Sequence, residues 1–225
     1  MPQDREKQLA AEASVELVES GMVLGLGTGS TAAFAVRKLG QRVREGLRVR
    51  GLPTSEATRR LAEAEGIALT SFAEVTRLDL TLDGADEFDP QLNLIKGGGG
   101  ALFREKIVAA ASQRLVIFAD ASKRVPQLGR FPLPVEVNPF GWQVSAARIE
   151  ALGASVKLRG GEAQTFVTDN HGYVLDCAFG AIPDPPALEE QLRGITGVMV
   201  TGLFVGMAEA VFCAAGGTVE VIRRP

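Results

Sequence analysis

Histidine and cysteine are almost absent from the sequence. Among 225 residues there is one histidine, His171, and there are two cysteines, Cys177 and Cys213. His171 lies in an Asp-Asn-His-Gly stretch typical of a hairpin turn, which predicts a turn residue rather than a catalyst. Neither cysteine belongs to a CxxC motif or lies near a histidine, so we expect two buried reduced thiols and no metal site. Any catalytic chemistry must therefore use carboxylates and lysines.

A strong net charge and an unbroken apolar segment are also absent. The formal net charge is −3, which gives no general attraction to nucleic acid, and a basic run at 37–50 is interpreted as a solvated helix face and turn. The apolar segment 195–215 is interrupted by glycines and by Glu209, which favours short buried elements over a membrane span. The charged N-terminal stretch 1–7 lacks the apolar core of a secretory signal. We therefore expect a cytoplasmic protein with no membrane or nucleic-acid partner.

The order of apolar segments predicts the fold class. Through residue 125, short apolar runs typical of strands alternate with helical segments, which indicates an α/β, Rossmann-like parallel sheet with helices on both faces. The predicted strands of this sheet are 22–24, 47–52, 67–69, 78–82 and 115–119.

A change in composition near residue 130 predicts a second domain. The segment that follows favours a small α+β fold, with a helix at 142–152 and strands at 154–158, 164–168 and 172–178. The chain then ends in a hairpin that pairs 210–214 with 218–222. We expect a main catalytic domain, 1–129 and 201–225, and a satellite domain, 130–200.

A loop rich in glycine and hydroxyl groups follows the first predicted strand. It reads Gly25-Leu26-Gly27-Thr28-Gly29-Ser30-Thr31 and leads into helix-forming residues. Its glycines let backbone amides approach an anion, and its hydroxyls can donate hydrogen bonds. No Gly-Lys-Ser/Thr follows, which excludes a Walker A loop, and Ser30 stands where a dinucleotide motif has its last glycine. The pattern favours a site for a single phosphate, with a purely structural turn as the alternative.

Three further polar segments follow predicted strands. They are the acidic turn Asp83-Gly84-Ala85-Asp86-Glu87, the glycine loop Lys96-Gly97-Gly98-Gly99-Gly100 and the loop that carries Lys123. Each could be a solvated turn when taken alone. Because ligands bind beyond the carboxyl ends of the strands in a parallel sheet, we expect these segments and the phosphate loop to lie at one edge and form a functional site.

The second glycine loop leads into a predicted helix, 101–111, that carries Glu105 near its start. The expected apolar face of this helix contains Phe103, Ile107 and Ala111. Together with the phosphate loop, the acids and the lysines, this glutamate suits proton transfer on a small phosphorylated sugar. A carboxylate can take the proton next to a carbonyl and return it to the neighbouring carbon, while cations and donors stabilise the enediolate between the two steps.

In combination, these blocks resemble the signature blocks of the ribose-5-phosphate isomerase type A family. The similarity runs in the same order over residues 7–206 and includes a late block, Thr201–Gly206. It implies interconversion of D-ribose 5-phosphate and D-ribulose 5-phosphate through an enediolate, a step of the non-oxidative pentose phosphate pathway. It also implies no metal and no organic cofactor, and a homodimer or homotetramer that assembles through the smaller domain.

The resemblance implies roles for single residues. Glu105 matches the family's base, and Asp83, Asp86 and Lys96 match its polar catalytic and sugar-binding residues. The other positions that match substrate-binding residues are Lys7, Thr28, Gly29, Ser30, Thr31, Gly84, Ala85, Gly97, Gly98, Gly99 and Lys123. Among these, Lys7 is expected to reach the phosphate group.

Two other classes of protein stay open at this point. One is a sugar-phosphate sensor that shares the fold without catalysis, as in some transcriptional repressors. It would need a helix-turn-helix, and the segment before residue 22 has no room for one. The other is an acyl-group enzyme of related fold, such as a CoA transferase, which would not need both the acidic turn and the phosphate loop. An assay with ribose 5-phosphate separates the three classes.

Overall fold

The computed structural model describes residues 2–224, in which strands and helices alternate along most of the chain. The helices are α1 (Pro2–Val15), α2 (Ser30–Arg44), α3 (Glu56–Ala64), α4 (Leu102–Ala110), α5 (Trp142–Glu150) and α6 (Pro185–Arg193). The strands are β1 (Val23–Leu26), β2 (Arg50–Pro53), β3 (Ala68–Leu69), β4 (Leu80–Gly84), β5 (Glu87–Phe88), β6 (Leu94–Ile95), β7 (Leu115–Asp120), β8 (Leu133–Val137), β9 (Ser155–Leu158), β10 (Tyr173–Ala178), β11 (Val198–Thr201), β12 (Leu203–Phe204), β13 (Ala210–Ala215) and β14 (Thr218–Arg223). A short 3-10 helix spans Ala121–Lys123.

The chain divides into two compact units. The first contains Met1–Ala85, Arg104–Arg124 and Met207–Pro225, and the second contains Asp86–Phe103 and Val125–Gly206. The segment 86–103, which the sequence analysis places in the main domain, belongs to the second unit.

The first unit contains a seven-stranded sheet in the order β14-β13-β7-β4-β1-β2-β3. All neighbouring strands pair in parallel except β13 and β14, which form the antiparallel hairpin predicted at the end of the chain. Every residue of β7 is buried, as expected for a continuous apolar strand between two parallel neighbours. The predicted α/β fold is confirmed, and the observed sheet is mixed and mainly parallel.

The second unit contains two antiparallel sheets. One has four strands in the order β11-β8-β10-β9, and the other has three short strands in the order β12-β6-β5. Its apolar core includes Val135, Val137 and Leu175 from the four-stranded sheet and Ile149 from α5.

The strand predicted at 164–168 is wrong. An isolated bridge between Val167 and Tyr173 forms there, residues 161–164 are in turns, and Thr165 and Phe166 are in no regular element. Gly160 and Gly161 both have positive φ, and a second turn with φ 62° at His171 follows closely. Too few extended residues lie between the two turns to pair as a strand.

Helix α6 was not predicted from the sequence, although it begins with a recognisable signal. Asp184 caps the helix by accepting a hydrogen bond from the Ala187 N–H, and Pro185 occupies the first helical position. None of the helices within residues 2–224 is long and apolar enough to cross a membrane.

Candidate active site

Loops at the carboxyl ends of neighbouring strands carry most of the candidate residues of the first unit. The phosphate loop follows β1, Thr54 follows β2, Asp83 lies near the end of β4, and Lys123 follows β7. The parallel register pairs Leu26 of β1 with Pro53 at the end of β2 and with Leu82 of β4, two residues before that strand ends. These loops therefore leave the sheet at the same edge. The phosphate loop, Asp83 and Lys123 therefore lie at one edge of the sheet, as expected from the sequence.

The expected position of Lys96–Gly100 was wrong in one respect. This loop follows β6, which pairs antiparallel with β5 and β12 in the three-stranded sheet rather than in the parallel sheet. The apolar residues before Lys96 indicated a strand, but they did not indicate its partner, because short strands pair according to tertiary context.

The phosphate loop ends at the start of α2. Gly29 has φ 117°, a conformation that favours glycine, and Ser30 is the first helical residue. Gly29 and Ser30 are exposed, and Thr31 is partly exposed. The first N–H groups of a helix have no intrahelical acceptor, so this loop offers backbone amides and hydroxyls to an anion.

Thr28, by contrast, turns its hydroxyl towards other hydroxyls. Its Oγ1 lies 2.7 Å from Thr54 Oγ1, 2.8 Å from Ser55 Oγ and 3.1 Å from Thr58 Oγ1. The sequence analysis did not select these three partners. A Thr-Ser-x-x-Thr pattern at the start of a helix, directly after a strand, was the available signal.

Asp83 is buried against the phosphate loop, with only 1% of its surface exposed. Its Oδ1 accepts hydrogen bonds from the backbone N–H groups of Gly84 at 2.7 Å and Thr28 at 3.3 Å. A Cβ atom at Gly27 would lie 2.1 Å from this oxygen, so only glycine allows the close approach. The structure thus joins two segments that the sequence analysis selected separately.

Glu105 lies in the first turn of α4 and is 4% exposed. The buried face of the helix contains Leu102, Glu105 and Val108, whereas Ile107 is 44% exposed. The predicted face with Phe103, Ile107 and Ala111 was therefore wrong, because the glutamate takes a position that the apolar pattern would assign to a hydrophobic residue.

The residue before Glu105 is tied to the start of α3. Arg104 Nη1 lies 3.2 Å from Glu56 Oε1, and Arg59 Nε lies 2.8 Å from Glu56 Oε2. The hydrogen bond from Arg59, and then that from Arg104, lowers the pKa of the Glu56 carboxyl. All three side chains are partly exposed, so the contacts orient the chain more than they stabilise it.

Lys123 ends the 3-10 helix after β7, which Asp120 caps. Asp120 is 1% exposed, and its Oδ1 accepts hydrogen bonds from the backbone N–H and the hydroxyl of Ser122. Its Oδ2 has no hydrogen-bond partner among residues 2–224. Lys7 lies in α1, where its Nζ is 3.7 Å from Asp4 Oδ1.

In the second unit, Asp86 holds the second glycine loop. Its Oδ2 accepts a 2.7 Å hydrogen bond from the Gly98 N–H, and a Cβ at Gly98 would lie 2.6 Å from Asp86 Oδ1. Lys96 is 3% exposed, and its Nζ lies 5.4 Å from the centre of the Phe204 ring, a distance typical of a cation–π contact.

Arg159 is a further residue that the sequence analysis missed. Its Nη1 donates to the carbonyl groups of Gly97 at 2.9 Å and Gly98 at 3.2 Å, and its Nε donates to Asp176 Oδ2 at 3.0 Å. This guanidinium, itself held by a carboxylate, fixes the backbone of these two glycines. Nothing in the local sequence around Arg159 indicates the contact.

The part of the chain that the structure describes contains no group of three or more histidine, cysteine or acidic side chains placed to hold a metal ion. Burial raises the pKa of the Cys177 and Cys213 thiols, in line with the buried reduced thiols expected from the sequence.

Known proteins are similar to this chain in sequence and in fold. The family model for ribose 5-phosphate isomerase A (phosphoriboisomerase A) matches residues 50–217. The ribose-5-phosphate isomerase A of Gloeobacter violaceus is 62% identical over 218 residues, which cover 96% of this chain and 95% of that protein. The solved ribose 5-phosphate isomerase A of Methanocaldococcus jannaschii has a TM-score of 0.91 at 39% identity and covers 96% of this chain and 97% of its own. A solved D-ribose-5-phosphate isomerase in complex with phospho-erythronic acid has a TM-score of 0.96 at 35% identity and covers 100% of both chains.

Proposed function

The chain belongs to the ribose 5-phosphate isomerase A family and interconverts D-ribose 5-phosphate and D-ribulose 5-phosphate, and we propose that Glu105 is the base that moves the proton. The supporting observation is the burial of this carboxylate on the inner face of α4. Burying a carboxylate costs free energy that an apolar residue at the same place would not, which favours a functional reason for its presence. A carboxylate shielded from bulk water can also pass one proton between two carbons of the same sugar.

The proton transfer follows from the chemistry of an aldose and a ketose. Glu105 takes the hydrogen on C2 of the open-chain aldose as a proton, and the electron pair left behind forms the C1–C2 double bond while charge develops on O1. A proton passes from O2 to O1. Return of the first proton from Glu105 to C1 then leaves the carbonyl at C2, so that no atom is gained or lost.

Asp83, Asp86 and Lys96 are proposed to bind the sugar hydroxyls and stabilise the enediolate. Lys96 is a buried cation, and a fixed charge in such surroundings is worth more to a developing oxyanion than one in water. Asp83 and Asp86 each accept a hydrogen bond from a backbone N–H group, which orients the two carboxyl groups. With them, the neighbouring backbone at Gly84, Ala85 and Gly97–Gly99 is proposed to contact the substrate.

The phosphate group of the sugar is proposed to bind at Gly29, Ser30 and Thr31. These residues combine exposed hydroxyl groups with the N–H groups of a helix start, both of which favour an anion. Lys123 and Lys7 are proposed to add positive charge for the same group. The exposure of the loop suits a phosphate that must enter and leave.

We also propose a homodimer or homotetramer that assembles through the satellite domain, and a cytoplasmic location. Both rest on the family to which the chain belongs, a family of metabolic enzymes. Light scattering of the purified protein during gel filtration measures the assembly. A monomeric mass at the concentration of the activity assay would contradict it.

Substitutions test whether Glu105, rather than Asp83 or Asp86, is the base. Glu105→Gln is expected to lower kcat by about 10²- to 10⁴-fold, because glutamine keeps the shape but cannot accept the proton. Loss of the C2 hydrogen of ribose 5-phosphate to deuterated solvent should slow in parallel. Asp83→Asn and Asp86→Asn serve as comparisons. Hydrogen loss at the wild-type rate in a folded Glu105→Gln protein would make one of the two aspartates the base.

A further inference from the structure

The hydroxyl groups around Thr28 form a closed ring of hydrogen bonds with the backbone of the phosphate loop. Thr28 Oγ1 donates to Ser55 Oγ at 2.8 Å, and Ser55 Oγ donates to Thr58 Oγ1 at 3.1 Å. Thr58 Oγ1 in turn donates to the carbonyl of Gly27 at 3.0 Å, next to Thr28 in the chain. We call Thr28, Thr54, Ser55 and Thr58 the hydroxyl cluster.

Thr54 attaches a second point of the same loop. Its Oγ1 donates to the carbonyl of Leu26 at 3.0 Å, and it lies 2.7 Å from Thr28 Oγ1. Ser55 also caps α3 by accepting a hydrogen bond from the Thr58 N–H at 3.1 Å. Three successive residues, Leu26 at the end of β1 and Gly27 and Thr28 after it, are therefore held by hydroxyl groups within and just before α3.

The hydrogens of the cluster are all used within it or on the loop backbone. A hydroxyl has one hydrogen to donate, and each of the four donates to an internal acceptor. Thr54, Ser55 and Thr58 are buried as well. The Thr28 hydroxyl is thus engaged in the fold, unlike the exposed hydroxyl of Ser30 in the same loop.

The cluster is linked to the buried aspartate through the backbone of Thr28. The N–H group of this residue donates to Asp83 Oδ1 at 3.3 Å, so the conformation of the loop sets the position of a donor to that carboxylate. The long distance means that a small shift of the loop would break the contact, because hydrogen bonds weaken steeply with poorer geometry.

We propose that the hydroxyl cluster positions Asp83 for catalysis and that the Thr28 side chain does not contact the substrate. Thr54, Ser55 and Thr58 are then positioning residues that act through the backbone of Gly27 and Thr28. This inference rests on the role proposed above for Asp83, and it gives Thr28 a different task from Ser30 and Thr31. Displacement of a reacting group by about 1 Å can cost up to about 10²-fold in rate, so the effect is measurable.

The test replaces one hydroxyl at a time by a methyl group of similar size. Thr28→Val and Thr58→Val are each expected to lower kcat by about 10- to 100-fold. The inhibition constant of inorganic phosphate should stay close to that of the wild type in both variants. Because the two residues act through one ring, the double variant should be little worse than either single variant. Thr58→Ser keeps the hydroxyl and should restore kcat.

Thr70→Val is the matched control. It makes the same chemical change at a threonine that is equally buried but bonds to Glu74 away from the cluster, and kcat should not change. Thermal unfolding of every variant shows that the proteins compared are folded. If Thr28→Val raised KM and the phosphate inhibition constant while kcat stayed unchanged, the hydroxyl would be a substrate contact and the proposal would be wrong. Additive losses in the double variant would also overturn it.

A structural measurement separates this proposal from the role of Asp83. Exchange of the Thr28 amide hydrogen with solvent should be faster in Thr58→Val than in the wild type, because the contact with Asp83 is loosened. If the Thr28 amide hydrogen exchanged at the wild-type rate in Thr58→Val, the cluster would not position the loop, and the proposal would be wrong whatever the kcat of the variant. A wild-type kcat for Asp83→Asn would instead overturn the function proposed for Asp83, and the exchange result would still decide whether the cluster holds the loop.

Discussion

The two glycine-rich loops both lead into helices, yet they differ in what they expose. The phosphate loop presents Gly29 and the hydroxyl-bearing Ser30 to solvent. The loop of Lys96–Gly100 also exposes backbone, at Gly98 and Gly99, but its lysine is only 3% exposed. The first is held by neutral hydroxyls and the second by the charged groups of Asp86 and Arg159. Loops of similar glycine content therefore differ in the side chains that they expose and in the groups that hold them.

The difference matches the groups that the two loops are proposed to recognise. A phosphate carries its charge before it binds, so an exposed loop can exchange water for the anion in both directions. The charge on an enediolate exists only during the reaction, and a buried, fixed cation stabilises it without reorganisation of solvent. The first loop is expected to control mainly binding, and the second mainly the rate of the chemical step.

Removal of the buried cation should give the largest change. Lys96→Met keeps the length of the side chain but removes its charge, and kcat should fall by about 10²- to 10³-fold while KM changes little. Lys157→Met, at an exposed position of β9, is the control. A rise in KM without a loss of kcat would place Lys96 in ground-state binding and erase the distinction between the loops.

Loss of the guanidinium that holds the second loop should affect stability. Arg159→Ala removes donors to Gly97 and Gly98 and leaves Asp176 without its cation, which should lower the free energy of unfolding by about 2–3 kcal/mol. Denaturant unfolding measures this change. Arg148→Ala on the exposed face of α5 should change it by less than about 0.5 kcal/mol. Equal effects of the two variants would mean that Arg159 does not order the loop.

Loss of a single hydroxyl of the phosphate loop should have a smaller effect than loss of Lys96, and it should change KM rather than kcat. Ser30→Ala should raise KM by about tenfold, since a hydrogen bond to a charged group contributes about 1.5 kcal/mol or more, and kcat should be unchanged. Steady-state kinetics with ribose 5-phosphate gives both values, with Ser71→Ala as an exposed control. A fall in kcat at constant KM would show that the loop acts on the transition state.

Removal of divalent metals should have no effect. The sequence and the family resemblance imply isomerisation by carboxylates and a lysine without a metal, so activity should survive exhaustive treatment with EDTA. A loss that added Mg²⁺, Mn²⁺ or Zn²⁺ restores would refute the metal-free mechanism, and would attribute charge stabilisation to an ion rather than to Lys96.

The sequence predicted those parts of the fold that local pattern controls. The apolar run of β7, the strand–glycine–helix order at Gly29 and the terminal hairpin with its two glycines were all correct. Such features depend on burial and on local backbone conformation, and the order of apolar residues and glycines along the chain indicates both. The same reasoning failed for β6, because a strand of two residues takes its partner from the surrounding fold.

Errors and omissions at the candidate site have a common physical cause. The apolar face of α4 was misplaced because a buried Glu105 interrupts it, and a functional residue need not follow the hydrophobic pattern. Arg159 and Thr58 were missed because each acts on a loop distant in the chain. Pattern analysis can find residues that carry charge into a site, but contacts that orient a backbone become visible only in three dimensions.

The ring formed by the hydroxyl cluster has a consequence for how the sequence can vary. A ring opened at one member leaves donors and acceptors of the others unmatched, so its positions cannot drift independently. When these positions are randomised together and active variants are selected, the surviving residues should be correlated. Exchange of serine and threonine should be frequent, and apolar residues should enter several positions at once rather than singly. Ser30, whose exposed side chain lies outside the ring, should show no such correlation with its members.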